Sequence, residues 1–304
     1  MNKPFMKKQY LLFSLIILTL SCSAPEKKVS EIDQWKLGWR MVLSSRDKDH
    51  LLAEAQFDSL LAGNKKMEYR FMISGLETLH ELDKQEKIKS ILENLDPVEL
   101  QQICNSGLFA LKLKGIKGCE DMQMQDVQQP ALQVELIKMF VDDQAARGNV
   151  MDELLVKYNL NKEEITTDDG VTVDARNRDR LKEIFREHGF PTKAMVGPDA
   201  MHGIFLMIQH ADGDPEWQKS QLTNIEQAVK QRDLDGQSYA YLYDRIMVNS
   251  GEKQLYGTQF SQVDPINKIV TLAETDRMDS LDYRRREVGM MPIDMYKQYL
   301  FKNI

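Results

Sequence analysis

Cysteine is nearly absent from this 304-residue chain, which holds only Cys22, Cys104 and Cys119. So few exclude a small disulfide-stapled scaffold, and the chain is long enough to bury one large hydrophobic core or two smaller ones. Long apolar runs are missing too: apart from Tyr10–Leu20, no stretch approaches the length that crosses a bilayer. Positive charge is in deficit, with 40 Lys and Arg against 47 Asp and Glu and a formal net charge of −7. Nucleic-acid affinity comes mostly from phosphate neutralisation by basic residues, so no nucleic-acid partner is expected. The triplet Arg284-Arg285-Arg286 is too short to reverse that balance. Two catalytic signatures are also lacking, the Gly-x-Ser-x-Gly nucleophile elbow and the His-Glu-x-x-His metal motif.

What is present begins with a leader. Lys3, Lys7 and Lys8 precede the apolar run Tyr10–Leu20, and Ser21-Cys22 follows. This arrangement resembles the lipobox of bacterial lipoproteins, although Thr19 stands where that pattern usually has Leu. It implies that residues 1–21 are removed and that Cys22 becomes a lipidated N-terminus. Residues 22–30 would then tether the body to a membrane of the bacterial cell envelope, in the periplasm or at the cell surface. An ordinary signal peptide cut near Ala24 is the alternative. Loss of the three leader lysines takes the formal charge from −7 to −10. Cys104 and Cys119 remain as an even pair in an oxidising compartment. A bridge between them would close a loop of about 15 residues, worth roughly 3 kcal/mol. They fit equally well as a small core residue and a turn residue that never meet.

The periodicity predicts a mainly α protein. Over residues 31–129 apolar side chains recur every three or four positions, as on one face of a helix. Leu51, Ala55 and Leu61 fall in one segment, Met72, Leu76 and Leu79 in the next, then Ile88, Ile91, Leu92 and Leu95, then Leu100, Ile103 and Leu111. Asp96-Pro97-Val98-Glu99 is a helix start, with an acidic cap, Pro at the first position and Glu at the third. Short helices in series suggest an N-terminal α-hairpin array of tetratricopeptide-like architecture, without a repeat of fixed period. Residues 114–130, with two glycines and a glutamine-rich stretch ending at Pro130, break the pattern and divide this platform from a domain over 130–304.

In the second domain a helix over Ala131–Arg147 carries Ile137 and Phe140 inward, and the same spacing continues to Gln144 and Arg147. Those two therefore point either at a cleft or out into solvent. A charged helix over Asn177–His188 stops at Gly189, and Gly197-Pro198 opens one that is apolar nearly all round from Met201 to Ile208. Its last turn holds Gln209 and His210. Asp214-Pro215 opens a helix with Trp217, Leu222, Ile225 and Val229 inward, and another runs through Tyr239, Leu242, Tyr243 and Ile246. Asn249-Ser250-Gly251 is read as the turn of a small β-hairpin whose second strand is Gln254–Phe260. A short helix over Arg284–Val288 ends at Gly289, and Pro292 opens the last.

Several words stand out in this half: Asp143-Gln144-x-x-Arg147, His188-Gly189-Phe190-Pro191, Val196-Gly197, Gln209-His210-Ala211-Asp212, Leu242-x-Asp244-Arg245, Gln254-x-Tyr256-Gly257-Thr258-Gln259 and Arg286-x-x-Gly289. In order and spacing, over about Leu132–Tyr296, they resemble the bacterial domain of unknown function numbered 6624. Phe190 replaces the Trp expected before that proline. The resemblance implies a domain and a residue set but no activity.

Polar side chains set against apolar runs must be paired when buried. One constellation is therefore expected from His210, Asp212, Asp244, Arg245, Arg147 and Gln259. As an enzyme, His210 would be a general base oriented by Asp212 or Asp244, in acid/base, hydrolase-like chemistry. Arg147, Gln144, Gln209, Arg245, Tyr256 and Gln259 would then hold the substrate. As a non-catalytic envelope module it would bind peptide or glycan through Trp217, Tyr239, Tyr241, Tyr243 and Tyr256. As a structural core, the same groups would satisfy backbone ends and one another. No cofactor is legible and no metal site is assigned. His202 and His210, eight residues apart, would lie about 12 Å apart along a helix, and His210 with Asp212 would need a third ligand such as His188.

Overall fold

A computed structural model describes residues 31–63, 67–104, 126–264 and 266–303, and the architecture is mainly α. The leader, Cys22 and the tether lie outside the described residues. So does Cys119, while Cys104 ends a helix. Among the described residues no helix is long and apolar enough to cross a membrane.

Among the described residues, five helices form the N-terminal part: α1 (Glu31–Arg46), α2 (His50–Gly63), α3 (Tyr69–Glu81), α4 (Gln85–Glu93) and α5 (Pro97–Cys104). The first three pack against one another around Trp35, Met41, Phe57, Leu60, Phe71, Leu76 and Leu79, and Ile88, Leu92 and Ile103 close the cluster. The α5 start follows the sequence reading: Asp96 Oδ1 accepts the N–H of Val98 and of Glu99, both at 2.9 Å. The inward face of α2 does not follow it. Leu51 is 71 % exposed, and Ala53, Phe57 and Leu60 are buried instead. This helix is apolar on two sides, so spacing alone could not choose between them.

The second part comprises α6 (Pro130–Ala145), α7 (Asp152–Lys157), α8 (Gly170–His188), α9 (Lys193–Gln209), α10 (Pro215–Ser220), α11 (Leu222–Lys230), α12 (Gly236–Asn249), strands β1 (Phe260–Asp264) and β2 (Ile269–Leu272), α13 (Leu281–Glu287) and α14 (Ile293–Asn303). Its core gathers Leu136, Ile137, Leu181, Ile184, Met201, Ile204, Ile208, Ile225, Leu242 and Ile246. Side-chain oxygens of Asp169, Thr192 and Asp214 cap the starts of α8, α9 and α10. Within α9, Gly197 leaves helical geometry at φ 81°, ψ 167°, so a first turn from Lys193 precedes the start expected at Gly197-Pro198.

Two expectations are corrected. The helix expected from Asp214-Pro215 through Val229 is interrupted at Gln221. Ser220 Oγ takes the Trp217 carbonyl at 2.6 Å, and the Gln221 N–H turns to Gln218 O at 3.1 Å. The β-hairpin pairs 260–264 with 269–272, antiparallel, rather than using Asn249-Ser250-Gly251 and Gln254–Phe260. Residues 254–259 form an irregular loop because buried side chains, described below, take their backbone groups.

The two parts dock. Trp35 Nε1 donates to Met290 O at 3.1 Å in a buried contact, and Arg70 donates to Gly289 O. Around them lie Arg286–Glu31 at 2.7 Å, Lys302–Asp47 at 2.6 Å, and Arg46, which bonds Tyr299 Oη at 2.6 Å and stacks over its ring.

Candidate functional site

The α6–α9 contact positions the site. It is the most extensive helix pair in this half, and Gly203 makes it close: a Cβ there would stand 2.7 Å from Phe140 Cβ. One turn beyond Phe140 on α6 is Asp143, in phase with Leu136 and Phe140 on the buried stripe and itself fully buried. Two turns beyond Gly203 is His210, the C-cap of α9, whose N–H still bonds Leu206 O at 2.9 Å. The two meet: His210 Nδ1 lies 2.9 and 3.1 Å from the oxygens of Asp143.

Asp143 accepts two further bonds, from Gln144 Nε2 at 2.8 Å and Arg147 Nη1 at 3.2 Å. Arg147 Nη1 also donates to the Asp143 backbone carbonyl at 2.8 Å, and its Nη2 reaches both oxygens of Asp174 on α8 at 2.7 and 2.9 Å. Asn177, one turn along α8, donates to Met139 O at 3.2 Å and fixes the register of α8 on α6. A carboxylate beside Nδ1 accepts a hydrogen bond from Nδ1–H, which keeps the proton there and leaves Nε2 as the basic nitrogen. The His210 side chain is 15 % exposed, and Nε2 has no hydrogen-bond partner among the described residues.

A second knot follows at once. At the end of α9 the Gln209 carbonyl has no backbone donor among the described residues, while the Ile208 carbonyl accepts the Ala211 N–H at 3.1 Å. Buried Gln218 Nε2 bonds the Ile208 and Gln209 carbonyls at 3.1 and 3.0 Å and also reaches Asp212 Oδ1 at 3.1 Å. Arg245 on α12 grips both Asp212 oxygens, its Nε at 3.0 Å from Oδ1, and Asn249 Nδ2 adds a bond at 3.2 Å. Burial pushes the Asp212 carboxyl up, but the bonds and charge of Arg245, with help from Gln218 and His210, outweigh it and hold the carboxyl below its usual value.

The expected constellation therefore divides. Arg147, Gln144 and His210 form one cluster with Asp143 and Asp174, and Asp212 and Arg245 form a second with Gln218; Asp143, Asp174 and Gln218 were not among the candidates. Asp244 neither orients His210 nor pairs with Arg245. Fully buried, it accepts the N–H of Leu255 at 2.8 Å, of Tyr256 at 3.0 Å and of Thr258 at 3.0 Å. Burial pushes its carboxyl up against the pull of these N–H groups. Buried Arg285 holds the other side of the same loop, donating to Tyr256 O at 2.7 Å and to Met291 O at 2.7 Å. Gln254 closes it through Gln259 N and O, both at 2.9 Å. The Gln259 side chain turns to Thr258 Oγ1, and Tyr256 packs edge-on to Tyr239 and Tyr243. Neither side chain bonds His210. Gln209 contributes its carbonyl.

Among the described residues, Asp143, Asp174 and His210 can place one ligand atom each within 4.8 Å of one another. Arg147 bonds both carboxylates, so a guanidinium already supplies the positive charge there. His188 lies away from this group, beside Glu187, and the His202 ring packs on Phe140.

A family model described as a family of unknown function (DUF6624) matches residues 130–303, more than half of the chain and all of the site just described. The chain belongs to DUF6624. No curated protein and no solved structure matches it. The DUF6624 region thus contains every residue of both polar networks, and α1–α5 lie outside it.

Proposed function

We propose that this DUF6624 protein is a bacterial lipoprotein, held to a membrane of the cell envelope through Cys22, whose C-terminal domain performs acid/base, hydrolase-like chemistry at His210. One observation carries the chemistry: a fully buried aspartate, Asp143, on Nδ1 of a histidine whose Nε2 is left without a partner among the described residues. This is how a carboxylate sets the tautomer of a general base and steadies the imidazolium that forms. Asp143 is then a positioning residue, His210 the base, and Arg147 and Arg245 the positive groups beside it.

The test is turnover by the full chain of chromogenic ester, phosphoester and glycoside substrates, wild type against His210→Ala. Loss of a general base lowers turnover by about 10²–10⁴-fold. Unchanged turnover would remove His210 from the chemistry. For the tether, Cys22→Ser is expected to move the protein from the membrane fraction to the soluble one.

The reading of the site as a polar structural core is favoured by a specific feature, the engagement of both guanidiniums by Asp174 and Asp212. Thermal unfolding separates the two. A structural His210 costs a few kcal/mol when replaced by Ala, whereas a functional one leaves the midpoint unchanged or raised.

A further inference from the structure

We propose that Arg147 is a seat for a small anion, a carboxylate or a phosphate, and that Asp174 fills this seat in the free protein as a stand-in for the ligand. The seat is preformed. Arg147 Nη1 is fixed on the carbonyl and carboxylate of Asp143 at 2.8 and 3.2 Å, which aims Nη2 at both oxygens of Asp174. Of the two carboxylates on this guanidinium, only one can be exchanged with solution. Asp143 is fully buried, while the side chains of Arg147 and Asp174 are 30 % and 23 % exposed.

Bonding marks the same difference. Asp143 also holds His210 and Gln144, and Asp212 on the neighbouring arginine is held by Gln218 and Asn249 as well. Asp174 has no hydrogen-bonding side chain besides Arg147 among the described residues. Its loss leaves α8 anchored, because Asn177 bonds Met139 O and Asp169 caps the helix independently.

Position gives the seat its meaning. An Asp174 oxygen lies within 4.8 Å of a ring nitrogen of His210, so an anion in its place would sit beside the imidazole. Exposed ion pairs contribute only about 0–1 kcal/mol, so displacement costs the fold little. A carboxylate tethered opposite Arg147 nevertheless competes with free solutes and masks the seat from weak ones. The proposal deepens the acid/base reading by naming an anionic ligand, but binding to Arg147 does not require turnover.

The experiment titrates the full chain, ¹³C-labelled at histidine, with sodium acetate or sodium phosphate against sodium chloride at matched ionic strength. The His210 ring resonances report binding. In Asp174→Asn the resonances are expected to shift saturably at concentrations about two- to sixfold below those needed by wild type. Asp174→Ala, a second substitution at the same part-exposed position, is expected to behave alike. Adding Arg147→Gln to either variant is expected to abolish the saturable shift. The acetate and phosphate arms show which anion fits. A response in both Asp174 variants no stronger than wild type overturns the proposal, as does one that survives Arg147→Gln. Binding without any turnover would leave the seat standing and remove only the acid/base reading.

Discussion

Asp143 and Asp244 are both fully buried aspartates, yet one faces side chains and the other faces backbone. Asp143 accepts from His210, Gln144 and Arg147, and Asp244 from three loop N–H groups. Replacing either by Ala strands buried donors and is expected to cost about 3–5 kcal/mol in urea unfolding. Only the Asp143 substitution is expected to change the His210 ring resonances. A shift of equal size in Asp244→Ala would mean that the two networks are coupled. Asp212 gives a pH prediction. Its native carboxyl titrates below its unfolded value, so its contribution is complete above about pH 4 and is lost as pH falls through the native value. The stability gap between wild type and Asp212→Asn is therefore expected to narrow below about pH 4, which unfolding midpoints at several pH values would show. A gap that widens on acidification would reverse the sign.

At the scale of elements, the close crossing of α6 and α9 is what brings Asp143 to His210. Gly203→Ala places a methyl against Phe140 Cβ, an atom that cannot swing away, and is expected to destabilise by about 1–3 kcal/mol. Its sharper effect is expected on the Asp143–His210 bond, read as a changed His210 resonance, and an unchanged spectrum would show that the crossing does not set the site. Both helices were legible in the sequence, since three-and-four spacing and the Pro130 and Gly197-Pro198 punctuation are local signals, although α9 has a further turn from Lys193 before Gly197. Asp143 was legible only in part: it sits in phase with Phe140 and inside a recognised word, but an aspartate at a helix end also suits solvent. Asp174 and Gln218 left no such trace, because their roles depend on which helix lies opposite. The loop over 254–259 was misread as a strand for a related reason. Its backbone partners are Asp244, Arg284 and Arg285, between 11 and 29 residues away.

At the scale of the whole molecule, α1 and α3 contribute buried and charged contacts to the α13–α14 turn, so the helical platform and the DUF6624 region are not independent. Trp35→Phe leaves the Met290 carbonyl without its donor and is expected to cost about 1–3 kcal/mol. Urea transitions followed by tryptophan fluorescence and by far-ultraviolet circular dichroism are expected to coincide in wild type. Two separated transitions would show that the parts unfold alone. The fold class was legible from composition and periodicity, while this docking was not, since Trp35 and Met290 are 255 residues apart.

The orientation of His210 by Asp143 is the claim on which the proposed chemistry stands, and nitrogen-15 NMR of the neutral imidazole tests it most directly. The expected result is the tautomer protonated at Nδ1, with Nε2 free to accept a proton. A ring protonated at Nε2, with Nδ1 bare beside the Asp143 carboxyl, would contradict it.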